Sequence, residues 1–121
     1  MINRRGILTG AAGMVGVGAF GRSAFAKDRS MRIGLISQMS GFAQQHGAAN
    51  NMGAQIAADY INKQGGVNGA KVEIVVRDDK GTTDGAVAAY RDLTAEGIRF
   101  IVGGPSSGPA IAVAPLVAGS E

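Results

Sequence analysis

Two serines and three glycines follow a short apolar run in Phe100-Ile-Val-Gly-Gly-Pro-Ser-Ser-Gly-Pro109. That spacing suits either of two chemistries. The first is anion binding. A strand that ends in a glycine-rich turn and reopens as a helix leaves backbone N–H groups pointing outward, with the positive end of the helix dipole behind them. A carboxylate fits that spot, and Gly104 and Ser106 lie within the turn. The second chemistry is nucleophilic attack. Gly104-Pro-Ser-Ser-Gly108 satisfies G-x-S-x-G, the nucleophile elbow of α/β-hydrolases, with a strand expected before Ser106 and a helix after it. The rest of a triad is out of order, because the acid and then the histidine should follow the serine. Here the sole histidine, His46, precedes Ser106, and Glu121 is the one acid after it. An exported serine hydrolase with Ser106 as nucleophile would therefore need further chain beyond residue 121.

Three other patterns carry less. Gly16-Val-Gly-Ala-Phe-Gly21 matches the dinucleotide fingerprint, but it sits in the N-terminal apolar segment without the strand that the fingerprint requires. One histidine and no cysteine are too few for a zinc or copper centre, so no metal and no cofactor are expected. Asp78 and Asp79 close an apolar run, where adjacent carboxylates serve to hydrogen-bond a turn rather than to act as an acid and base pair.

The elements that must position the serine turn follow from periodicity. Arg32-Ile-Gly-Leu-Ile36 reads as a buried strand, stopped by the turn chemistry of Ser37 to Gly41. From about Ala48 to Gln64 the pattern is helical, with Gly53, Ile56, Ala57, Tyr60 and Ile61 on one face and Gly65-Gly66 as its end. Lys71 to Arg77 is the second strand, and Thr82 or Thr83 caps a helix that runs to about Glu96 with Ala86, Ala89, Tyr90 and Leu93 on one face. Gly97 closes it, Ile98 to Val102 is the third strand, and Pro109 starts a last helix with Ser106 to Gly108 as its cap. The order β-α-β-α-β-α, with right-handed crossovers, demands a parallel sheet between layers of helices, a three-layer α/β/α arrangement. Loops 37–47, 78–83 and 103–108 then share one edge, where ligands of open α/β sheets sit.

Charge is split along the chain. Residues 1 to 26 carry Arg4, Arg5 and Arg22 with no acid, while residues 27 to 121 hold nine basic and nine acidic side chains. The folded part has no net basic balance, which removes the case for a nucleic-acid partner. The first 26 residues show a basic start, an apolar run from Ile7 to Phe20 and Ala24-Phe-Ala26 as a cleavage site, the three parts of an export signal. The run is shorter than the roughly 20 residues needed to span a bilayer. Arg4-Arg5 with Leu8 also resembles a twin-arginine signal, though Ile7 stands where Phe is usual. Cleavage after Ala26 and a soluble periplasmic product are expected. Without cysteine, that product is stabilised by its core and is not a lipoprotein.

Five segments in register carry a family likeness: Ile33-Gly-Leu-Ile-Ser-Gln-Met-Ser-Gly41, Gly53-Ala-Gln-Ile-Ala-Ala-Asp-Tyr-Ile-Asn62, Gly65-Gly-Val-Asn-Gly69, Val75-Val-Arg-Asp-Asp79 and Ile101-Val-Gly-Gly-Pro-Ser-Ser-Gly108. Together the sequence resembles the start of the branched-chain amino-acid-binding proteins of ABC transporters. The resemblance implies a type I periplasmic binding fold, in which two α/β lobes close over a small ligand and dock on a membrane permease. It is expected to be non-enzymatic and monomeric at full length. Residues 27 to 121 would form the N-terminal part of lobe one, the rest lying beyond this chain. Ser107 matches the position whose hydroxyl and N–H hold the amino-acid head group, with Ser106 beside it. His46 falls where the family has a cleft-lining aromatic, commonly tyrosine. The resemblance gives Asp78, Asp79 and the segment from Asn62 to Gly66 turn-forming roles. The expected ligand-binding set is thus Ser107, Ser106, His46 and Gly104. A truncated, inactive product whose sheet exposes an apolar edge is the remaining alternative.

Overall fold

The computed structural model describes residues 29–119; the export signal and its cleavage site lie outside them. Six elements alternate as expected: β1 (Ser30–Ser37), α1 (Gln44–Lys63), β2 (Lys71–Asp78), α2 (Thr83–Ala95), β3 (Phe100–Val102) and α3 (Ser107–Ala118). The three strands pair in parallel in the order β2-β1-β3. Ile33 stands opposite Ile74 on one side and Phe100 on the other. Since β1 is central, the chain crosses from β1 to β2 in one direction and from β2 to β3 in the other. Right-handed crossovers then place α1 on one face of the sheet and α2 on the opposite face, where α3 packs beside α2.

The core lies on the α2 and α3 side. Ile36, Ala89, Tyr90, Leu93 and Ile98 form a buried cluster, against which Val75, Ile101, Val113 and Leu116 pack. The helical face expected of α2, with Ala86, Ala89, Tyr90 and Leu93, is the buried one. Gly34 lets α2 approach β1, since a Cβ there would stand 2.7 Å from Leu93 Cδ1.

Both long helices end in the same way. Gly65 and Gly97 take positive φ (+99° and +76°). In each case the glycine and the following residue return hydrogen bonds to the helix: Gly65 N–H to Asn62 O and Gly66 N–H to Ile61 O, then Gly97 N–H to Thr94 O and Ile98 N–H to Leu93 O. This is the Schellman pattern, which satisfies the last carbonyls that the helix leaves open. It also corrects the third strand, which was expected to begin at Ile98. Ile98 belongs to the end of α2, held by Leu93 O and buried, and β3 spans only Phe100–Val102.

The outer edge of β2 is covered by a side chain. Asn62 Oδ1 accepts from Val72 N–H at 2.7 Å, and Asn62 Nδ2 donates to Val72 C=O at 2.8 Å. Asn62 so takes the place of a neighbouring strand at that residue and blunts the edge against pairing with another chain. Near the start of β1 Glu96 accepts from Arg32 at 2.7 Å and also pairs with Arg77, joining the end of α2 to β1 and β2. The Arg32 hydrogen bond is the main reason that the Glu96 carboxyl is held below its usual range, with Arg77 adding to it.

Candidate functional site

The carboxyl ends of the strands meet where β1 sends the chain to one face and β3 sends it to the other. Such a reversal opens a crevice between the two loops, the usual ligand position of open α/β sheets. The turn after β3 lies close against the end of β1. A Cβ on Gly104 would stand 2.9 Å from Ile36 O and 3.3 Å from Ser37 Cα, so only glycine permits this approach. Ser37 and Gln38, the residues that β1 brings to the crevice, are both buried.

The loop after β1 is held by Asp78 at the end of β2. Its Oδ1 accepts from Met39 N–H at 2.9 Å and from Lys80 N–H at 2.8 Å. Partial burial by itself would raise the Asp78 pKa; the Ser40 hydroxyl and the N–H groups of Lys80, Met39 and Ser40 outweigh it and hold the carboxyl below the usual carboxylate range. A carboxylate whose pKa is lowered by folding stabilises the native state above its unfolded pKa of about 3.9, and that stabilisation disappears as pH falls through the lower folded value. In urea unfolding followed by circular dichroism, the midpoint should therefore fall as pH drops below about 4. Asp78→Asn should flatten part of that decline. An identical acid limb in the two proteins would show that Asp78 does not hold the loop.

The three helices start differently at this edge. Thr82 caps α2, its hydroxyl accepting from Gly85 N–H at 3.0 Å. No side chain caps α1 at Ala43, and none caps α3 at Ser106. Ser106 therefore stands at the N-cap position expected of it, but its hydroxyl does not close the helix end. Pro109 in the first turn has no N–H to offer, so Ser107 and Gly108 present the open donors. In α1 the N–H groups of Gln44 and His46 already bond to Gly41 O and Ala43 O, so among the described residues it is the α3 N-terminus that keeps open donors, backed by the partial positive charge that attracts an anion.

Of the expected residues, Gly104, Ser106 and Ser107 come together in a single turn, with Gly104 and Ser106 half-buried and Ser107 exposed. His46 is on α1, not in a loop. The helix begins at Gln44, four residues before the expected Ala48, because Gly47 packs flat on the backbone of Gln38 and is a contact residue instead of a breaker. His46 is the third residue of that helix, exposed and at the same edge as the serines. No imidazole or carboxylate hydrogen-bonds the Ser106 hydroxyl among the described residues, so the nucleophile-elbow reading gains no support.

Periodicity gave no role to two residues at this edge. Phe42 stands fully exposed between the Gly41 turn and α1. Gln38 places its amide close against Gly81 and near Gly41, packing the loop after β1 on the turn after β2. Either could have been suspected from position alone, since both fall in a loop after a strand, but nothing in their spacing marks them.

An open parallel lobe with an uncapped helix N-terminus at its switch-point crevice is the arrangement of ligand-binding α/β domains. This chain belongs to the periplasmic binding protein family, whose model matches residues 30–121. It is 42% identical over 86 residues to the Leu/Ile/Val-binding protein BraC3 of Rhizobium johnstonii, covering 71% of this chain and 23% of that one. Among solved structures it is similar to the branched-chain amino acid transporter substrate-binding protein LivJ of Streptococcus pneumoniae, in complex with isoleucine: TM-score 0.71, 32% identity, 75% of this chain and 26% of that one. A type 1 periplasmic binding protein of Bordetella pertussis gives a TM-score of 0.69 at 34% identity over 74% of this chain and 25% of that one. The chain thus spans about a quarter of the length of these relatives.

Proposed function

We propose that this chain forms part of the first lobe of a solute-binding protein that holds an amino acid, branched-chain or a related small amide or carboxylate, for an ABC-transporter permease. It binds and performs no chemistry. The observation that carries this reading is the uncapped start of α3 beside Gly104, at the sheet's reversal point, in a chain whose relatives are named for leucine, isoleucine and valine. The ligand carboxylate sits at the α3 N-terminus, taking the Ser107 N–H and hydroxyl with Ser106 beside it. Gly104, lacking a side chain, admits the head group, and His46 lines the crevice from α1. Residues 1–26 direct export to the periplasm and are removed after Ala26.

A lobe that meets only half of its ligand binds weakly, because the contacts of the facing lobe and the enclosure it provides are missing. Calorimetric titration of this chain with leucine, isoleucine and valine should therefore give millimolar affinity, about 4 kcal/mol. Micromolar binding by the chain alone would contradict the division of the site between two lobes.

A further inference from the structure

Two buried side-chain oxygens at the crevice have no hydrogen-bond partner among the described residues, Ser37 Oγ and Asp79 Oδ2. Of the two residues, Asp79 is the one already half bonded. Its side chain is 1% exposed. Oδ1 accepts from Gly81 N–H at 2.8 Å, whereas Oδ2 is buried with no partner. The backbone around it is fixed: Asp79 N–H donates to Ser37 O, and Asp79 O accepts from the N–H and hydroxyl of Thr82. Asp79 is among the residues that line a cavity of about 190 Å³ under α3, walled mainly by Ile36, Tyr90, Ile101 and Val113. Apolar walls offer it nothing, and a buried carboxylate oxygen without a donor is costly.

The nearest backbone is the turn after β3. Asp79 Oδ2 lies 3.6 Å from the point where a Gly104 Cβ would stand, and the N–H groups of Gly103 and Gly104 make no hydrogen bond within the described residues. The unpaired acceptor therefore sits beside the buried Ser37 hydroxyl and beside the N–H groups of the half-buried Gly104 and the exposed Gly103, and a buried acceptor is almost always paired. We infer that Asp79 positions the ligand turn, its Oδ2 taking a backbone N–H of Gly103 or Gly104 directly or through one water.

The pairing gives the two adjacent carboxylates separate tasks. Side chains alternate between the faces of a strand, and at the end of β2 Asp78 holds the loop after β1 while Asp79 reaches past the end of β1 to the turn after β3. Since β2 and β3 are not neighbours in the sheet, Asp79 links both walls of the crevice to one strand end. That this turn receives a ligand rests on the proposed function; that Asp79 holds the turn does not.

The test is amide hydrogen exchange on this chain by NMR, with Asp79→Asn and Asp79→Ala. In the parent chain one of the Gly103 and Gly104 amides should be protected although the turn is at the surface. Asparagine offers a single oxygen, which keeps the Gly81 N–H and turns an NH2 toward the turn. Asp79→Asn should thus retain the fold and Gly81 protection while the turn amide exchanges about tenfold faster, the loss of one hydrogen bond. Asp79→Ala should expose both the Gly81 and the turn amides. Exchange at the unprotected rate in the parent chain, or equal protection in Asp79→Asn, would overturn the inference, as would a crystal structure in which Oδ2 is bound by Ser37 or Gln38 instead. If leucine leaves the parent chain unchanged while the exchange pattern holds, it is the proposed function that fails.

Discussion

Gly47→Ala is expected to destabilise the chain by about 3 kcal/mol, the upper end of the cost of overfilling a packed site. A Cβ at this position would stand 1.8 Å from Gln38 O and 2.5 Å from Gln38 C. Both are backbone atoms of the buried Gln38, whose chain neighbour Met39 is hydrogen-bonded to Asp78, so no side chain can swing aside to make room. The first turn of α1 would have to lift from the sheet, carrying His46 and Phe42 with it. Alanine favours a helix over glycine by about 1 kcal/mol, so a gain in stability is what helix propensity alone predicts. The sign of the change in chemical denaturation therefore separates the two accounts. A more stable Gly47→Ala would mean that α1 does not rest on Gln38.

Leu93→Ala is expected to cost between about 2 and 5 kcal/mol, the range for a leucine removed from a core. Leu93 is fully buried, and it joins α2 to β1 over Gly34 and to the end of its own helix at Ile98. With nine buried hydrophobic residues among those described, such a loss is a large share of a typical stability of about 5–15 kcal/mol. The pair with Gly34 offers a sharper check. Gly34→Ala alone forces a Cβ to 2.7 Å from Leu93 Cδ1, whereas with Leu93→Ala the same methyl enters the space that the leucine vacates. The double variant should be more stable than the sum of the two single changes predicts, by about 1 kcal/mol. Strict additivity would mean that the two residues do not meet.

The order of elements was legible because it rests on periodicity and on the glycines after each helix, both local signals. Gly65 and Gly97 announce helix ends whose hydrogen bonds close within six residues. The start of α1 was not legible, because Gly47 serves a contact with Gln38 across the sheet end, and a glycine in sequence looks the same whether it breaks a helix or lets one pack closely. The length of β3 failed for a related reason: Ile98 has the composition of a strand, yet its N–H is claimed by the preceding helix. In the crevice, the serine turn could be read from its glycines and proline. The role of Asp79 could not, since its neighbours are supplied by the end of β1 and by a turn more than twenty residues further along the chain.

The central claim is that the α3 N-terminus receives an amino-acid head group. Its most direct test is a titration of the isotope-labelled chain with leucine, followed at each backbone amide by NMR, with Gly104→Ala as control. The account predicts saturable millimolar shifts concentrated at Gly104, Ser106, Ser107 and Gly108, smaller ones at His46, and their loss in Gly104→Ala, where the turn is pushed off the end of β1. Saturable shifts confined to residues away from this turn, or none up to the solubility of leucine, would contradict it.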